Sequence, residues 1–232
     1  MWEVKVKIIK NGTCTVDPGN MASLVHVALK HQMGIKGGST VSLIREKDDC
    51  LLIDTGYEDE SDESPMNQRK NRDWLKLLLD FHGHRPEDIT KVFITHFHMD
   101  HFGGIELFEG AKWFCHRLAH EGLMSPLKDK FIPLDDGDQI IPNAVVAHTP
   151  GHTRGHSSIL WWNANGSLRA AICGDAVINL AWLQSGSIWR FNSDFFDLEA
   201  ARKSIGNLLH RADLIIPGHG QPFFSSAIKL IK

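Results

Sequence analysis

Thr95-His96-Phe97-His98-Met99-Asp100-His101 decides how this 232-residue chain is read. Three histidines and an aspartate fall within six residues, and the apolar run Val92-Phe93-Ile94 leads straight into them. On an extended backbone side chains alternate with period two, so His96 and His98 share a side. A turn after His98 brings Asp100 and His101 round towards the same point. Imidazole suits zinc and other late divalent metals, and carboxylate adds a hard oxygen ligand. A solvated polar cluster is the plain alternative. It fits poorly with four ligand-type side chains placed directly after an apolar strand.

Outward from this run, the first third reads as β-rich. Residues 4–9 alternate, and the apolar runs 40–45 and 50–54 flank the charged turn Glu46-Lys47-Asp48-Asp49, a hairpin pattern. Asp54-Thr55-Gly56 breaks the second of these strands. Residues 57–71 are acidic at their start and read as a solvated loop. Trp74, Leu75, Leu78 and Leu79 place an amphipathic helix over 73–82. Arg85-Pro86-Glu87-Asp88 reads as a turn. Strands follow at 91–95, 111–115, 144–148, 157–162, 168–173 and 213–217, with helices over 103–109, 117–124 and 197–211. Asn163-Ala164-Asn165-Gly166 is the turn between two of the strands, and Asp197 is a candidate N-cap. Hairpins followed by alternating strands and helices suggest packed sheets with helices outside. No composition shift marks a linker, so 1–232 reads as one domain.

The HxHxDH run resembles the signature of the metallo-β-lactamase superfamily, and the rest of that pattern follows in order. Asp54-Thr55-Gly56, Thr149-Pro150-Gly151-His152-Thr153, Gly174-Asp175-Ala176 and Pro217-Gly218-His219-Gly220 resemble its other motifs. The resemblance spans positions 54 to 219. It implies an α+β fold, the αβ/βα four-layer sandwich. It also implies two divalent metal ions: His96, His98 and His152 on the first, Asp100, His101 and His219 on the second, and Asp175 bridging them. Asp54 is expected beside the ligands, holding a ring N–H or a ligand loop. His148 and His156 are expected as hydrogen-bonded loop or core histidines. His26, His31, His82, His84, His116, His120 and His210 carry no assigned role.

The activity so implied is hydrolysis by a metal-bridging hydroxide, and the position of Asp100 suggests that it passes a proton to the leaving group. Zinc is the default metal, and manganese or iron also tolerate mixed histidine–carboxylate sites. Asp175 argues against an antibiotic-type β-lactamase, His98 against a flavodiiron oxygen reductase. With thirteen residues after His219, the glutathione-binding domain of glyoxalase II is not expected here. The superfamily's lactonases carry a tyrosine after the bridging aspartate, whereas Val177-Ile178-Asn179 stands here and the one tyrosine is Tyr57. The stretch 181–196 holds Trp182, Trp189, Phe191, Phe195 and Phe196. It reads either as the wall of an apolar pocket or as packing or a homodimer contact. The pocket reading favours a small-molecule ester, thioester or lactone. A phosphodiesterase or ribonuclease is the alternative, and a non-catalytic metal scaffold the third reading.

Composition sets outer bounds. The net charge of −3 gives no general attraction to a phosphate backbone, so nucleic acid is disfavoured as a partner. Cys14, Cys50, Cys115 and Cys173 form no CxxC unit and lie in or beside apolar stretches, which suits buried thiols in a reducing compartment. No apolar run reaches the ~18 residues of a membrane span, and no signal-type core opens the chain, so the expected location is cytoplasmic.

Overall fold

The computed structural model describes residues 5–13, 37–56 and 64–229. Cys14, His26, His31 and Tyr57 lie outside them. Two six-stranded sheets face each other. The first runs β1 (Val6–Lys10), β2 (Val41–Glu46), β3 (Asp49–Ile53), β4 (Lys91–Ile94), β5 (Lys112–His116) and β6 (Phe131–Leu134), in that order. The second runs in reverse chain order, from β12 (Phe223–Phe224) through β11 (Leu214–Ile216), β10 (Arg169–Ile172), β9 (Ser157–Trp162) and β8 (Ala144–His148) to β7 (Gln139–Ile141).

Period-two alternation sorts the side chains into layers. Ile44, Leu51, Ile53 and Phe93 of the first sheet meet Val146, Ile159, Trp161, Ala170 and Ile172 of the second between the sheets. Their chain neighbours Leu43, Leu52, Val92 and Ile94 face outward onto Leu75 and Leu79 of helix α1 (Pro65–Phe81). On the far side Leu160, Ala171 and Ile215 pack with Leu208 of a long helix over Leu198–Arg211. The result is helix, sheet, sheet, helix: the expected four-layer sandwich.

Several elements differ from expectation, for identifiable reasons. Helix α1 begins at Pro65, so 65–71 is helical and not loop. Ser64 Oγ accepts from Asn67 N (3.3 Å) and proline takes the first turn, while the first two turns are mostly exposed and carry no apolar stripe. The turn after His98 is itself a short helix, α2 (Met99–Phe102), and 105–108 is a single 3₁₀ turn. Strand β6 escaped the sequence pattern because Pro133 interrupts it. Proline is tolerated there because β6 is the sheet's edge. Short helices α3 (Arg117–Glu121) and α4 (Leu127–Lys130) surround it, and α5 (Leu180–Gln184) precedes the long helix, α6. Helix α7 (Ser226–Lys229) follows β12. Asp197 Oδ1 caps α6 by accepting from Ala200 N at 2.7 Å. No described helix is long and apolar enough to cross a membrane.

Strand direction places the site. Strands β3 and β4 run parallel, and β8, β10 and β11 share one direction in the second sheet. Thr40 N donates to Gly218 O (2.7 Å) and Ser157 N to Thr95 O (3.0 Å), stitching the two sheets along one rim. Asp54, His96, His152, Asp175 and His219 each follow the C-terminal end of one of these five strands, at that rim.

Candidate metal centre

The structure gathers all seven residues expected as ligands. They fall into two sets, His96 with His98, His152 and Asp175, and Asp100 with His101 and His219, the ligand-type atoms of each lying within 4.8 Å of one another. In the first set His98 Nδ1 is 3.0 Å from His96 Nε2 and 3.1 Å from His152 Nε2. In the second, His219 Nε2 lies 3.2 Å from Asp100 Oδ2. Asp175 faces both. Its Oδ2 is 3.4 Å from His152 Nε2, and its Oδ1 is 3.1 Å from His101 Nε2 and 3.2 Å from His219 Nε2.

Local chain geometry explains the convergence. Helix α2 turns Asp100 and His101 inward, and their carbonyls are pinned, Asp100 O by Ser39 Oγ (2.5 Å) and His101 O by Thr55 N (2.7 Å). Gly151 sits at φ +140, and a Cβ there would run into Ala201 of α6, so the His152 turn can lie flat on that helix. Gly218 has its own constraint: a Cβ would collide with Asp175 Oδ1. Asp54 takes a left-handed backbone conformation (φ +59), a cost borne where the side chain is fully engaged. Its Oδ1 accepts from Thr95 N (2.8 Å), and its Oδ2 from Thr95 Oγ1 (2.9 Å) and His101 Nδ1 (2.7 Å). Asp54 thus holds a ring N–H beside the two groups, the place expected for it.

The ring partners fix the tautomers. Asp54 accepts from His101 Nδ1, which therefore carries the ring proton. Thr95 Oγ1, its own proton given to Asp54, accepts from His96 Nδ1 (3.1 Å). The Thr13 carbonyl accepts from His219 Nδ1 (3.2 Å). His98 Nε2 donates to Asp194 Oδ1 (3.0 Å). Four imidazole lone pairs therefore point into the site. His101 Nε2 and Asp175 Oδ1, both buried, form no hydrogen bond despite their 3.1 Å separation. Acceptors in such contact need positive charge between them.

Charge differs between the groups. Burial, then the neighbouring His101, His98 and His152, hold His96 well below the usual histidine range. Burial likewise pushes His152 down to about 4, against the pull of Asp175. At His101 burial is outweighed by Asp100, Asp175 and Asp54, and its pKa rises to about 10 when protons are the only cations present. His219 is raised well above its ordinary value by Asp175 and Asp100 in the same way, against burial. Asp175 is held well below the carboxylate range by His219, His101 and His152, although burial opposes this. Inward lone pairs, ionised carboxylates and unpartnered buried atoms fit divalent metal ions.

His156 is buried and bridges two motif loops. Its Nδ1 pairs with Thr149 Oγ1 (2.9 Å), and its Nε2 accepts from Ala176 N (3.2 Å). His148 and His116 stack at 4.2 Å, and His148 Nε2 donates to Arg154 O. His84 lies buried near Lys7 Nζ (3.3 Å), and His120 pairs with Lys128 O (3.1 Å). Cys50, Cys115 and Cys173 are free and buried. Trp182 and Trp189 line a cleft with His152 and Asp175, whereas Phe191 and Phe196 are exposed. Sequence reasoning missed Asp194 and Asn192 altogether. They sit between aromatic residues in an irregular stretch without helix or strand periodicity, and the His98–Asp194 contact spans 96 positions.

Known proteins match this arrangement. An N-acyl homoserine lactonase from Bacillus sp is 27% identical over 139 residues, 51% of this chain and 56% of that protein. A hydroxyacylglutathione hydrolase from Aeromonas salmonicida is 33% identical over 141 residues, 59% of this chain and 46% of that protein. The chain thus spans about half the length of these curated relatives. A structure from Staphylococcus aureus, described as a probable metal-dependent hydrolase, superposes with TM-score 0.71 at 18% identity, covering 94% of this chain and 90% of its own. The sequence pattern of the family described as the metallo-beta-lactamase superfamily matches residues 34–219. With that match covering most of its length, the chain belongs to the metallo-β-lactamase superfamily.

Proposed function

We propose that this chain is a hydrolase that holds two divalent metal ions, zinc by default, and cleaves a small ester, thioester or lactone. The observation that carries the reading is Asp175, with one carboxylate oxygen towards each ligand group. His96, His98 and His152 would hold one ion, and Asp100, His101 and His219 the other. When bound, such ions supply an activated water and a Lewis acid for the substrate oxygen. Asp100, ionised because His101 and His219 outweigh its burial, would take the proton of the attacking water at its carboxylate and pass it to the leaving group. Asp54 keeps His101 in the tautomer that turns Nε2 inward.

The substrate class rests on the cleft. Val177, Ile178, Trp182, Ile188 and Trp189 give the narrow cleft beside His152 and Asp175 an apolar wall, the lining that an acyl substituent would take. The names of the lactonase and thioester-hydrolase relatives agree. A panel of esters, thioesters, lactones, phosphodiesters and RNA, run with and without chelator, tests the reading. Chelator-sensitive turnover of an acyl substrate is expected. Turnover of RNA or phosphodiesters alone would replace the substrate class, and tight metal binding with no turnover would leave a scaffold.

A further inference from the structure

We propose that Asp194, braced by Asn192, is a positioning residue for the histidine group: it sets the tautomer of His98 and so makes Nδ1 its ligand atom. The inference rests on the two-metal reading above. A carboxylate at 3.0 Å accepts, so His98 Nε2 carries the proton and the lone pair lies on Nδ1, facing His96 and His152. The Asn192 side-chain amide donates both to Asp194 Oδ1 (2.8 Å) and to the backbone carbonyl of His152 (2.9 Å). One amide therefore ties together the carboxylate that orients His98 and the turn that presents His152. Phe196 N and Asp197 N add bonds to Gly151 O at 3.0 and 3.3 Å.

This hold differs from the other three. The rings of His96, His101 and His219 are braced by Thr95, Asp54 and the Thr13 carbonyl. Asp194 instead comes from an irregular segment and keeps 56% of its side-chain exposure. That segment leaves α5 through edge-to-face contacts, Trp182 to Trp189 at 5.6 Å and Trp189 to Phe191 at 5.2 Å. The aromatic wall of the cleft and the brace on two ligand histidines are thus one continuous piece of chain. Because water competes for an exposed acceptor, the effect belongs at the low end of the ~10–100-fold range for partners of metal-bound histidines.

The test is zinc affinity, site by site, by competition with a chromophoric chelator, on wild type, Asp194→Ala, Asp194→Asn and Asn192→Ala. Wild type is expected to bind two zinc ions. Asp194→Ala should weaken one of them by roughly tenfold and leave the other within about twofold. Asp194→Asn retains an acceptor oxygen and should recover most of the loss, and Asn192→Ala should weaken the same ion less. In metal-stripped protein labelled with 15N-histidine, His98 should show the Nε2-protonated tautomer, which Asp194→Ala should turn into a mixture. Two unchanged affinities in Asp194→Ala would overturn the proposal while leaving the two-metal reading intact. Equal weakening of both ions with a lowered melting temperature would overturn it in favour of a general structural role. Fewer than two ions in wild type would overturn the underlying reading instead.

Discussion

The two ligand groups differ in how they are enclosed. Asp100, His101 and His219 are all buried, and the ring partners of their histidines belong to the sheet rim: Asp54 after β3 and the carbonyl of Thr13. In the other group His98 is half-buried, and the residue that orients it lies on the surface. Charge separates them too, since carboxylates raise His101 and His219 while burial lowers His96 and His152. One group is set in the frame. The other opens towards solvent at His98 and borders the aromatic cleft through His152 and Asp175.

Asp175 joins the two, so breaking it should have the largest effect. Asp175→Ala should lower turnover at least ~10³-fold and weaken both metals, read by initial rates and elemental analysis on the same folded sample. Near-wild-type rates would remove Asp175 from its bridging place. Asp54→Asn sharpens the contrast. Its amide must face either Thr95 N or the donors Thr95 Oγ1 and His101 Nδ1, so the enclosed group should lose ~10–100-fold in metal affinity with the histidine group less affected. Equal affinities in mutant and wild type would mean that His101 needs no orienting partner. At the cleft, Trp189→Ala should raise KM about tenfold for long acyl substrates and leave short ones nearly unchanged. A uniform change in kcat would place Trp189 outside substrate binding.

Metal-stripped protein should show the charge difference as a function of pH. His96, His152 (about 4) and His116 (about 4, from burial and then His148) have folded pKa values below their unfolded ones. The unfolded chain then binds more protons, and stability is lost as pH falls from about 6.5 towards 4. His101 (about 10) and His219 lie above their unfolded values, so their contribution is complete below about 6.5 and is lost as pH rises towards 10. The melting temperature should peak near pH 6.5, and bound zinc should flatten the alkaline side by taking the protons' place. A stripped protein whose melting temperature climbs steadily to pH 9 would contradict this assignment of charge.

Much of this was legible in the sequence, for a physical reason. His96, His152, Asp175 and His219 each follow a buried strand, and a ligand-type residue after an apolar run is a local pattern. Apart from Thr95 on its neighbour His96, the contacts that orient the ligands are not local. Asp194 reaches His98 from 96 positions away, and the carbonyl of Thr13 reaches His219 across 206. Backbone carbonyls leave no mark on residue type, and an exposed aspartate in an irregular segment resembles any other. The fold hid its elements likewise where pattern was absent: β6 behind Pro133, and the early turns of α1 behind exposed polar side chains.

The most direct test of the central claim is elemental analysis of the purified protein beside its hydrolysis rate, before and after chelation and on adding zinc back. Two metals per chain, with activity lost on stripping and restored in step with the second equivalent, is the predicted result. One metal per chain with full activity would contradict it.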